Sequence, residues 1–214
     1  MKSLLVLAAT AVMLPAMAHP EDRFPPLQAA EMTPEQQRVA HAITSGPRAA
    51  AQPGGAALVG PFNAWLRSPE LADRLQKVGE YIRFHSSIPH RLNELAILVA
   101  ARAWNAEFEW WAHWRIAMKA GLEPGVAAAI AAGRRPEGMS EDERIVYDFC
   151  TELQRDKQVG DAAFGAAKAR FGEQGVVDLI GVSGYYAVVA MTLNVARVPA
   201  PAGTEVLPLP PLAR

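Results

Sequence analysis

The stretch Glu94-Leu95-Ala96-Ile97-Leu98-Val99-Ala100-Ala101, followed after Trp104-Asn105 by Ala106-Glu107-Phe108-Glu109-Trp110-Trp111-Ala112-His113, sets two carboxylates and an imidazole in an apolar background. Residues 95–101 are apolar on every side of a helix, so the spacing predicts a helix enclosed by others. Glu94 then points into packed surroundings near Ile97, Leu98 and Ala101. In the next helix, about 100° per residue places Glu109, Ala112, His113, Ile116, Ala117 and Ala120 on one stripe, with Glu107, Arg115 and Lys119 elsewhere. A short connection at Asn105 makes the two helices antiparallel neighbours. A carboxylate in apolar surroundings must be paired, hydrogen-bonded or neutralised. Glu94, Glu109 and His113 are therefore the candidate proton-transfer residues.

Outward from this pair, the helix breakers fall at helical spacing and no run shows sustained strand alternation, so the fold class is all-α, in a single domain. Thr33-Pro34-Glu35 starts a short helix, and residues 46–60 form a Pro/Gly/Ala loop. Ser68-Pro69 opens a helix to about Phe84, and Pro89 opens the next, to about Trp104. Asn105 caps a further helix ending at Gly121. A short helix follows from Pro124 to Ala132. Ser140 and Glu143 have capping-box spacing for a helix through Gln154. Asp161 and Gly172 bracket another, and the last runs from about Glu173 to Ala196.

The last segment is apolar enough to suggest a membrane span. Asp178, Asn194, Gly181 and Gly184 interrupt it, which favours a buried or subunit-interface helix. At the other end, Lys2, the apolar run from Leu4 to Leu14 and Ala16-Met17-Ala18 read as a signal peptide over residues 1–18, with cleavage after Ala18. The expected mature protein is exported, to the periplasm or beyond, with no membrane anchor after cleavage. Residues 19–32 form an extended N-terminal segment, 33–198 the helical domain, and 199–214 a proline-rich tail with prolines at 199, 201, 208, 210 and 211.

A net charge of −1 gives no reason to expect nucleic acid as a partner. Cys150 is the only cysteine, which excludes an internal disulfide and an intrachain dithiol. Its neighbours Val146, Phe149 and Leu153 mark it as a small core residue.

The combination Arg91-Leu92-Asn93-Glu94-Leu95-Ala96-Ile97-Leu98, Asn105-Ala106-Glu107-Phe108-Glu109-Trp110 and His113 resembles the carboxymuconolactone decarboxylase and AhpD-like alkylhydroperoxidase superfamily. Residues 60–69, Gly-Pro-Phe-Asn-Ala-Trp-Leu-Arg-Ser-Pro, and Ala190-Met191-Thr192-Leu193-Asn194 before Val198-Pro199 extend the resemblance over most of the mature chain. The resemblance implies an AhpD-like helical bundle and a homo-oligomer. It also implies a glutamate at Glu94 and a histidine at His113. Ala106 and Glu109 occupy the positions where the peroxidase branch carries its Cys-x-x-Cys pair, so the spacing survives without the sulfur. A family label of peroxiredoxin activity could be attached to the chain by resemblance alone. The branch without the cysteines implies cofactor-free acid/base chemistry, a decarboxylation or proton transfer, on a small organic acid or lactone.

In that reading His113 carries the proton, since an imidazole titrates near working pH, and Glu94 or Glu109 fixes its tautomer. Two carboxylates sharing one site would keep one of them protonated. Arg83 and Arg91 are candidates to hold a substrate carboxylate, and His85 and His90, flanking Ser86-Ser87-Ile88-Pro89 before the Glu94 helix, are candidates to line the same substrate cavity. No metal or cofactor is expected: neither His-Glu-x-x-His nor the Glu-x-x-His of di-iron bundles is present. Two other readings use the same residues. One is a noncatalytic ligand-binding or assembly module, and the other is hydroperoxide reduction through Cys150 between subunits.

Overall fold

The computed structural model describes residues 23–48, 58–201 and 209–211. The signal-peptide reading, most of the 46–60 loop and much of the C-terminal tail lie outside them. The described residues form eight α-helices and no strand. These are α1 (Pro34–Ser45), α2 (Pro61–Trp65), α3 (Pro69–Phe84), α4 (His90–Ala103), α5 (Glu107–Lys119), α6 (Pro124–Ala131), α7 (Glu141–Asp156) and α8 (Asp161–Ala196). A 3-10 turn at Ala29–Glu31 interrupts the segment read as extended.

Helix α4 is the central rod, packed by α3, α5, α6, α7 and α8. Every residue from Leu92 to Ala101 is buried, as an all-round apolar pattern requires. Leu95, Ile97 and Leu98 are completely enclosed. Truncating any of them to alanine would cost about 2–5 kcal/mol.

The helix ends follow local chemistry. Ser140 and Glu143 close a reciprocal capping box at the start of α7. Gly121 takes a left-handed φ of 86° after α5, which lets Leu122 N–H reach the Ala117 carbonyl at 3.0 Å. One boundary differs from expectation. Asn105 is not the N-cap of α5; it sits at φ 48°, accepts from Arg102 Nη1 at 2.7 Å, and leaves Ala106 as the cap residue. Asparagine tolerates the left-handed region, so the connection turns one residue tighter than a side-chain cap would allow.

Gly172, at φ 71° and ψ −177°, breaks α8 between the two segments expected as separate helices. The part after Gly172 is long and apolar enough to cross a membrane by composition, yet 56% of that window is buried against the rest of the protein.

Two buried polar side chains fix the turn that delivers α4. Asn93 Nδ2 donates to the Ile82 carbonyl at 3.0 Å. Asp178 on α8 accepts from Ser87 N–H and Ser87 Oγ, each at 2.7 Å, and from Tyr81 Oη at 3.0 Å. The 85–89 turn is thereby tied to α8, which sets where His90 and Glu94 begin.

Candidate active site

Glu94 projects from the first half of α4 and His113 from the middle of α5, so the antiparallel contact of the two helices brings them face to face. His113 Nδ1 lies 2.8 Å from Glu94 Oε2. The carboxylate side chain is 1% exposed and the imidazole 10%. Burial alone would push the Glu94 carboxyl upward. The charge and hydrogen bond of His113, with smaller help from His90 and Arg83, overcome burial and bring it down to about 2. An ionised carboxylate can only accept, so Nδ1 carries the proton and donates it. The other ring nitrogen, Nε2, makes no hydrogen bond among the described residues and is the edge free to act on a substrate. Tyr186 of α8 packs its ring against the imidazole at 4.8 Å and 84°, which fixes the ring plane.

The second oxygen of Glu94, Oε1, lies 3.5 Å from His90 Nε2, one helical turn earlier. That carboxylate raises the His90 pKa against partial burial. His90 remains exposed at the helix start, so it joins the buried pair to the surface.

Glu109 behaves differently. It is fully enclosed, and neither carboxyl oxygen has a hydrogen-bond partner. Burial raises its pKa well above the ordinary value and so favours the neutral acid. The two carboxyls are thus shifted in opposite directions because their surroundings differ, one beside an imidazole and one enclosed without a hydrogen-bond partner.

Of the other expected residues, Arg83 is half-buried at the end of α3, with its guanidinium 5.1 Å from the Phe84 ring and its charge felt by Glu94 and His90. His85 is exposed at the C-terminal end of α3. Arg91 turns to another helix. Its Nη1 donates to Glu143 Oε1 across the α4–α7 contact, and Glu143 is itself buried in the capping box. That pairing occupies Arg91 in joining two helices.

Sequence reasoning missed Arg48, Tyr185 and Tyr186. Tyr185 and Tyr186 stack edge-on at 5.2 Å, and Arg48 is only 4% exposed. Two adjacent tyrosines in an otherwise apolar helix were the signal available for the latter pair. A surface cleft of about 280 Å³ opens elsewhere, beside Val99, Arg102, Tyr147 and Gln154, and shares no residue with this cluster. Among the described residues, no three His, Cys, Asp or Glu side chains converge as metal ligands would.

The all-α arrangement around a buried central helix has the AhpD-like fold. The solved AhpD-core structure of an uncharacterized peroxidase-related protein from Ralstonia eutropha JMP134 superposes with a TM-score of 0.67. It is 15% identical, over 86% of this chain and 95% of that one. Residues 69–144, from the start of α3 into α7, match the model of the carboxymuconolactone decarboxylase family. No curated protein matches the sequence.

Proposed function

We propose that this protein catalyses cofactor-free proton transfer, most simply coupled to decarboxylation, on a small organic acid or lactone. The observation that carries the reading is the buried Glu94–His113 pair, with Nδ1 committed to the carboxylate and Nε2 left unbonded. In a decarboxylation, the electrons of the breaking carbon–carboxylate bond pass into an extended enolate as carbon dioxide leaves. His113 in its imidazolium form gives the Nε2 proton to carbon and recovers one from water. Glu94 supports the imidazolium through Nδ1–H, and neutral Glu109 supplies a second proton donor in the same apolar environment. Ala106 and Glu109 stand where a peroxidatic cysteine pair would be, which removes thiol chemistry from this position. The leader over residues 1–18 places the activity outside the cytoplasm in this reading.

The test is turnover of a panel of carboxylated unsaturated lactones and keto acids, followed by carbon dioxide release and deuterium uptake from heavy water. His113→Ala is expected to lower kcat by about 10²–10⁴. Equal deuterium uptake by the variant and the parent would overturn the assignment.

A further inference from the structure

A buried cation with no ion-pair partner needs an explanation, because burying an unpaired charge is among the costliest things a fold can do. Arg48 is such a group. It is 4% exposed, it forms no ion pair among the described residues, and its Nη2 has no hydrogen-bond partner. Its guanidinium stacks over Phe62 at 5.3 Å. The fold makes room for it. A Cβ on Gly79 would fall 2.0 Å from Tyr185 Oη and 2.6 Å from Arg48 Nη2, so both groups press into the notch that glycine leaves. Burial disfavours the charge most, the like-signed Arg83 adds to that, and Glu80 offsets it only from a distance, without an ion pair. Glu109, whose two oxygens are also unpartnered, lies within electrostatic reach of Tyr185 and Tyr186.

We propose that Arg48 and Tyr185 bind the carboxylate of a small organic acid whose second oxygen function, a carbonyl or hydroxyl, is met by Glu109. The inference deepens the acid/base reading and rests on it for the identity of the site. Arg48 Nη2 supplies the free donor for an anion, and the Tyr185 hydroxyl a second. Glu109, protonated, can donate to a carbonyl oxygen or accept from a hydroxyl. A neutral ligand of the same shape would leave Arg48 unpaired and should be rejected.

Binding is read by calorimetry and thermal shift on the whole mature protein, with malonate and tartronate as probes and chloride at matched ionic strength as control. Both dianions should bind. Arg48→Met should weaken them at least tenfold and Arg48→Lys less, while Glu109→Gln should weaken tartronate more than malonate. Absence of carboxylate binding beyond the chloride control, or unchanged binding in Arg48→Met and Arg48→Lys, overturns the proposal. His113→Ala separates the two readings: it should keep malonate affinity and lose proton transfer. Retained transfer with Arg48-dependent binding would sink the acid/base reading alone.

Discussion

Glu94 Oε2 accepts from His113 Nδ1 at 2.8 Å across the α4–α5 contact, joining residues 19 positions apart, although Glu109 lies only one helical turn from His113. The partner of the imidazole is therefore chosen by helix packing.

Because that pair is buried, removing the imidazole should strand a charge. His113→Ala is expected to lose about 3 kcal/mol of stability at pH 7, and Glu94→Gln in the same chain should restore part of it. The folded Glu94 sits at about 2 against an ordinary 4.5, so its contribution is present above pH 4.5 and is lost as pH falls toward 2. Urea unfolding from pH 6 to 2 should show the acid-side loss in the parent and a flatter profile in Glu94→Gln.

Glu109 should show the opposite sign. Its pKa is raised in the fold, so it stabilises below the unfolded value near 4.5 and costs stability as pH rises above it. Glu109→Gln should therefore gain on the parent by about 1.4 kcal/mol for each pH unit above 4.5, up to the folded pKa. Denaturant melts at pH 4, 5.5 and 7 check this, and a constant difference would mean that Glu109 is ionised in the native state.

Arg91 and Glu143 should behave as a structural pair. Glu143→Ala removes a capping contact, at 2.7 Å to Ser140 N–H, and the partner of Arg91 together. A loss of about 2 kcal/mol is expected. Arg91→Met should lower the melting temperature while leaving KM for any substrate within twofold; a large rise in KM would return Arg91 to the site.

Cys150 should be inert. Burial pushes its thiol up to about 12, against a small opposing effect from Ser183 Oγ at 3.5 Å, and the residue is fully enclosed. A thiol reagent should label it only on unfolding. Cys150→Ser should leave any thiol-dependent peroxide consumption unchanged, and abolition of that activity by the substitution would establish peroxide chemistry between subunits.

The sequence by itself determined the helices and the buried character of the site. All-round apolarity from Leu95 to Ala101 enclosed α4, capping-box spacing placed the start of α7, and helical periodicity turned Glu109 and His113 to one inward face. Only the tertiary structure decided which acid meets the imidazole, that Arg91 turns to Glu143, and that Arg48 and Tyr185 press together against Gly79. Helical spacing fixes the face on which a side chain emerges. It does not fix the angle and offset at which that face meets another helix, and a hydrogen bond of 2.8 Å depends on both.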